Sequence, residues 1–215
     1  MYNSEMSNNN WSNLHENYKR RDWISKPSIF AEMAIKYFPK NGKILDLGAG
    51  VGQDSIYFTQ KGCEVTATDL DTTKLQENFS EKNLSISSQK VDLRETLPFE
   101  DRSYDVVYAH LSLHYFDKHT TEKIFAEIFR VLKPGGIFAF FTNSTDDPEY
   151  NSGKWLEADY FEIDGVPKRY LNVKTAKEFA KGFEIIIADN QGETYKDRAQ
   201  GIHNLIRFIG RKHVS

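Results

Sequence analysis

Three glycines at alternate positions, directly behind an apolar run, constrain this chain more than any other feature. In KILDLGAGVGQDSIYF, residues 43–58, the run Ile44–Leu47 reads as the end of a strand. Gly48, Gly50 and Gly52 then read as a turn, and the residues after them as a helix. Glycine takes a left-handed backbone without steric cost and leaves space where a side chain would stand. A glycine-rich turn between a strand and a helix therefore suits a ligand that comes close to backbone: a phosphate, a dinucleotide, or the amino-acid end of a sulfonium cofactor.

The rest of the chain alternates strand and helix. Apolar positions Phe30, Met33, Ala34, Tyr37 and Phe38 follow a helical period ahead of Pro39 and Gly42. The glycine turn leads into a helix over 53–61, and EVTATD, 64–69, reads as a second strand. A helix over 72–83, a strand near 86–91 and a strand YDVVYAH, 104–110, come next. Ile124, Phe125, Ile128, Phe129 and Leu132 line one helix face, closed by Pro134, Gly135 and Gly136, and a strand follows over 136–142. Nearly continuous apolar strands alternating with helices predict an α/β fold, a doubly wound parallel sheet covered on both faces. Near the end, Asp164–Gly165 signals a hairpin, VKTAKEFAKG a short helix, and FEIIIAD with HNLIRFIGRK two strands able to pair antiparallel.

Bulk properties exclude several classes. The chain has 215 residues, a size for one domain with a small lid, here 1–215. Charged residues make up 27% and the net charge is -3, which predicts neither nucleic-acid nor membrane binding. The tight basic cluster Lys19–Arg20–Arg21 reads as a solvated helix end. Cys63 stands alone, so no disulfide framework or zinc cluster is expected, and no other metal site is predicted. With a polar start and no long apolar run, a cytoplasmic protein is expected. The sequence leaves its oligomeric state open.

Asp69, at the end of the second strand, is 21 residues beyond Gly48, where an acid accepts hydrogen bonds from ribose hydroxyls. Up to this point a nicotinamide dinucleotide and an adenosyl sulfonium both fit. The spacing separates them. A dinucleotide turn reads GxGxxG, whereas Gly48 starts G-A-G-V-G-Q, with Gln53 in place of the third glycine.

With these residues in view, the sequence resembles the class I S-adenosylmethionine-dependent methyltransferases. It is similar to the small ubiquinone/menaquinone-biosynthesis and tellurite-resistance-like types. ILDLGAGVG, VTATDLD, VDLRETLPFEDRSYDVVYAHLSLHYF and RVLKPGGIFAFF stand in the family's order across about 43–143. The resemblance implies a Rossmann-like seven-stranded sheet of order 3-2-1-4-5-7-6 with the last strand antiparallel. It implies S-adenosylmethionine as cofactor, S-adenosylhomocysteine as product, and a small-molecule acceptor. It further implies that Gly48, Ala49 and Gly50 pack against the methionine part and that Asp46 holds its ammonium. Asp69 would take the ribose hydroxyls and Leu70 would lie against the adenine. Asp92 would accept from the adenine amine with Leu93 nearby, and Ala109 and His110 would lie beside the sulfonium.

Methyl transfer from a sulfonium needs alignment first, and a base where the acceptor starts protonated. His114 is the candidate base, with His110 second. The stretch 11–23, with Trp11, Tyr18 and Trp23, is expected to form a lid placing Tyr18 by the sulfonium, within an N-terminal lid segment of about 1–27. Residues 144–172 form a possible substrate-side insertion, where Tyr150, Trp155, Tyr160, Phe161 and Tyr170 could roof the pocket. Asp146 and Asp147 read as a solvated loop. Two other classes stand beside this reading. A dinucleotide oxidoreductase is opposed by the glycine spacing. A cofactor-fold protein without catalysis is opposed by the intact turn and ribose acid.

Overall fold

A computed structural model describes residues 26–194 and 202–214. Trp11, Tyr18, Trp23 and the basic cluster at 19–21 lie outside the described residues. So does the lid expected of them.

The described residues open with α1 (Ile29–Ala34), which tightens into a 3-10 turn at Ile35–Tyr37. The main elements follow as β1 (Lys43–Leu47), α2 (Gln53–Gln60), β2 (Glu64–Asp69), α3 (Thr73–Glu81), β3 (Ser87–Lys90) and β4 (Tyr104–His110). A 3-10 turn at Leu113–Tyr115 leads to α4 (Lys118–Val131) and β5 (Leu132–Thr142). Three short strands form a separate sheet: β6 (Lys154–Glu157), β7 (Tyr160–Ile163) and β8 (Val166–Arg169). Then come α5 (Val173–Phe179), β9 (Phe183–Glu193) and β10 (His203–Lys212).

The seven-stranded sheet runs β3-β2-β1-β4-β5-β10-β9. β1 to β5 are parallel, and β10 lies antiparallel between β5 and β9. This is the order and the reversed last strand expected above. Both faces are apolar because each strand offers alternate residues to each. Ile44, Val106, Tyr108, Ile137, Ala139 and Phe141 pack towards α1, while Leu45, Leu47, Val107, Ala109, Phe138 and Phe140 pack with α4 residues.

Differences from the expected boundaries have local causes. β5 begins at Leu132, and its register on β4 jumps from Tyr104↔Leu132 to Val106↔Ile137. The Pro134–Gly135 turn bulges out between the two pairings, with Gly135 at φ 77. β9 runs on to Glu193, beyond the predicted 189, since β10 still pairs at Gly192. A Cβ at 192 would meet Phe141 Cε2 at 2.3 Å, so the glycine lets the strand lie over that ring. The predicted hairpin forms with Asp164 and Gly165 both left-handed, and β6 adds an unexpected third strand.

The small sheet is fastened to the chain leaving β4. Arg169 is 4% exposed and donates through Nε to Phe116 O at 3.0 Å, and its Nη2 pairs with Glu157. Its guanidinium lies over the Tyr160 ring, and Tyr160 Oη donates to Tyr115 O at 3.0 Å. Replacing Arg169 by methionine keeps much of the stem but strands these acceptors. Because Glu157 is partly exposed and can rehydrate, the expected loss is about 2–3 kcal/mol in a denaturant titration. Arg169→Lys should recover little, for lack of the planar fork. A methionine variant as stable as wild type would remove this fastening role.

Candidate active site

The carboxyl ends of β1, β2 and β4 meet at one edge of the sheet, and the glycine turn crosses it. Gly48, Gly50 and Gly52 all have positive φ, at 69°, 59° and 80°. The turn is tied to its neighbours through backbone: Ala49 N donates to Thr68 O at 2.8 Å, and Gly50 N donates to Asp69 Oδ2 at 2.9 Å. Two of the glycines are required by packing. A Cβ at Gly48 would lie 2.4 Å from Ser112 Cβ, and one at Gly52 would lie 2.6 Å from the Phe79 ring. Ser112 Oγ also donates to Leu47 O at 2.6 Å, so the chain leaving β4 clamps the turn from below. Leu111, just before it, is left-handed at φ 53.

Asp46 is 2% exposed, within β1 and two residues ahead of the turn. Ser55 Oγ donates to its Oδ2 at 2.6 Å. Burial, and then the neighbouring Asp54 and Asp69 carboxylates, push its pKa up to about 8 against the lowering effect of the Ser55 bond. Asp69 is half-buried, and its carboxylate also accepts from Asp71 N at 3.3 Å. Leu70 beside it is half-buried as well.

Asp92 follows β3. Its carboxylate accepts from Arg94 N and twice from Arg94 Nε, and pairs with Arg94 Nη2 at 2.5 Å. The bonds from Arg94 hold its pKa below the ordinary carboxylate range. Leu93 is buried next to it. Ala109 is buried at the end of β4, and His110 stacks on Phe141 with ring centroids 5.0 Å apart. Burial lowers the His110 pKa.

His114 is 5% exposed and its Nδ1 has no partner among the described residues. It lines a small cavity with Leu113, Thr121, Phe125, Phe140 and Arg169. Burial first, then the Lys168 charge, lowers its pKa to about 3. The imidazole is thus neutral at pH 7 and can accept a hydrogen bond, but it binds a proton weakly. Tyr18 lies outside the described residues.

The expected aromatic roof divides. Tyr160, Phe161 and Tyr170 are buried, and Tyr150 packs edge-on to Phe161 and Tyr170 at 5.5 Å from each. Trp155 is 66% exposed and takes no part. Asp147 corrects the expectation of a solvated loop: it is buried, accepts from Glu149 N at 2.8 Å, and has its pKa raised by burial. Asp146 is exposed, as expected, and accepts from Asn190.

Sequence reasoning missed the residues that hold the turn in place. Asp54 is 5% exposed and accepts from Ser28 N at 2.7 Å, Ser28 Oγ at 2.8 Å and Tyr108 Oη at 2.7 Å. An acid in the first turn of the helix that leaves the glycines was the available signal. Ser112 gave none. Among the described residues no group of His, Cys, Asp and Glu side chains could hold a metal, and no helix is long and apolar enough to cross a membrane.

Comparison with known proteins agrees with this geometry. Residues 45–140 match the family model described as a methyltransferase domain. The chain is 31% identical over 143 residues to a malonyl-[acyl-carrier protein] O-methyltransferase of Enterobacter lignolyticus, covering 66% of this chain and 55% of that one. It spans about half the length of the curated relatives it matches. Its fold is similar to that of a SAM-dependent methyltransferase from Methanosarcina mazei, with TM-score 0.72 and 19% identity, covering 85% of this chain and 98% of that one. It is also similar to a Burkholderia thailandensis 1,6-didemethyltoxoflavin-N1-methyltransferase solved with S-adenosylhomocysteine, with TM-score 0.71 and 18% identity, covering 95% of this chain and 84% of that one. The match over residues 45–140 and the order of the sheet make this part of the chain a methyltransferase domain, similar to the class I S-adenosylmethionine-dependent methyltransferases.

Proposed function

We propose that this chain transfers the methyl group of S-adenosylmethionine to a small-molecule acceptor. The observation that carries the reading is the junction of the glycine turn with Asp69, where Gly50 N meets the carboxylate that ends β2. Three left-handed glycines next to two acids suit a ligand that brings an ammonium and a pair of ribose hydroxyls. The donor and acceptor set therefore fits the cofactor.

In this reading the backbone of Gly48, Ala49 and Gly50 lies against the methionine part and Asp46 faces its ammonium. Asp69 accepts from the ribose hydroxyls, with Leu70 on the adenine. Asp92 takes the adenine amine once Arg94 turns aside, a movement that costs little because the Arg94 side chain is half in solvent. Leu93 lines the same side, and Ala109 and His110 flank the sulfur. When bound, the sulfonium supplies an electrophilic methyl and a neutral thioether leaving group. The chain's own contribution is alignment of the acceptor with that methyl and exclusion of water. His114, neutral and buried, fits orienting a donor group of the acceptor better than removing its proton, because proton transfer is most efficient when the base has a pKa near the working pH.

Titration calorimetry tests the reading. S-adenosylhomocysteine should bind and NAD should give no heat. At about 100 times its dissociation constant, S-adenosylhomocysteine should add about 2.7 kcal/mol to apparent stability. Binding of NAD with no response to S-adenosylhomocysteine would overturn the reading.

A further inference from the structure

Two buried carboxyls lie behind the glycine turn, and they are supported unequally. Asp54 accepts three hydrogen bonds, from Ser28 N, Ser28 Oγ and Tyr108 Oη. Asp46, equally buried, has a single side-chain donor, Ser55 Oγ. The groups facing Asp46 are acidic or neutral on every side. Asp54 and Ser55 come from α2, Asp69 and Thr68 from β2, and Tyr108 is its register partner on β4. His110, farther along β4, faces Asp54 and is itself held neutral by burial. No lysine or arginine pairs with Asp46 among the described residues.

A buried carboxyl with one donor and two carboxylate neighbours favours its neutral form, and an opposite charge brought close reverses that preference. We propose that Asp46 holds a proton before the cofactor arrives and releases it to solvent when the α-ammonium of the methionine moiety docks beside it. The Asp46 O–H bond breaks, the proton goes to buffer, and the carboxylate left behind pairs with the ammonium. No oxidation or reduction is involved. The inference rests on the reading that this turn binds S-adenosylmethionine.

The sign follows from the folded-state pKa of about 8, raised above the ordinary carboxyl value. In the free protein Asp46 is protonated below that value, so binding must displace the proton there. Affinity should rise about tenfold per pH unit between about pH 6 and pH 8 and level off above. For folding, a raised carboxyl pKa means that the native state binds the extra proton. Stability of the free protein should therefore fall as pH rises between about 4 and 8, and bound S-adenosylhomocysteine should relieve that fall.

The experiment is calorimetry of the full chain at pH 7 in phosphate and in Tris, whose ionisation enthalpies differ. The two probes are S-adenosylhomocysteine and 5′-methylthioadenosine, which keeps the adenosine and sulfur but lacks the amino-acid end. Wild type should release close to one proton with S-adenosylhomocysteine and none with methylthioadenosine, and Asp46→Asn should release none with either. If Asp46→Asn does not fold, Ser55→Ala serves instead. It removes the one donor, raises the affinity of Asp46 for its proton, and should raise the release at pH 8 from about half a proton towards one. S-adenosylhomocysteine that binds wild type with no proton exchange, and with affinity flat from pH 6 to 8, overturns the inference and leaves the functional reading standing. Absence of any S-adenosylhomocysteine binding overturns both.

Discussion

Asp69→Ala is expected to weaken S-adenosylhomocysteine binding by about two to four orders of magnitude while the protein still folds. Two ribose hydroxyls would each lose a charged acceptor, at about 1.5–3 kcal/mol per bond, and about 1.4 kcal/mol is a tenfold change in affinity. The folded state loses less. Gly50 N, bonded to Asp69 Oδ2 at 2.9 Å, sits in a half-buried turn where water can replace the carboxylate. Asp69→Asn should fall between, since its amide oxygen can still accept but carries no charge. Calorimetry beside a thermal melt separates the two effects. A folded alanine variant with wild-type affinity would remove Asp69 from the cofactor site.

Gly48→Val is expected to damage the fold and the site together. A side chain there would start 2.4 Å from Ser112 Cβ, on backbone at φ +69 that β-branched residues avoid. Left-handed strain costs about 1–3 kcal/mol and overpacking about as much again. The sum, about 2–6 kcal/mol, corresponds to a melting temperature lower by about 5–20 °C for a chain of this size. The two causes can be told apart with Ser112→Gly. It should return the packing part of the loss and none of the strain, which a double-mutant cycle measures as coupling. Additive losses in that cycle would mean that Ser112 does not hold the turn.

Much of the frame was legible in the sequence. β1, β2, β4 and β10 begin and end where the apolar runs do, because glycines and polar turns bracket them and a sheet covered on both faces needs such runs. The glycine turn and its acids were legible for a similar reason: a left-handed backbone requires a residue type, and that requirement is local. The order of the seven strands came from resemblance to a family, and the pairings agree with it.

Only the tertiary structure decided what surrounds those residues. Trp155 and Phe161 look alike as aromatics in one segment and pair directly across the small sheet, yet one is solvated and the other buried, since β6 is an edge strand and β7 lies between its two neighbours. His114 looked like a base beside the sheet's edge; its pKa comes from the depth at which the turn after β4 sets it. Asp46 was visible as a candidate cofactor acid, but its raised pKa was not, because that depends on burial and on Asp54 and Asp69 brought in from other elements. The hold on the turn is longer in range still. Ser28 and Tyr108 reach Asp54 across 26 and 54 residues, and Ser112 reaches Leu47 across 65. Residue type and spacing specify backbone locally, while charge state and burial are set by neighbours that only the folded chain brings together.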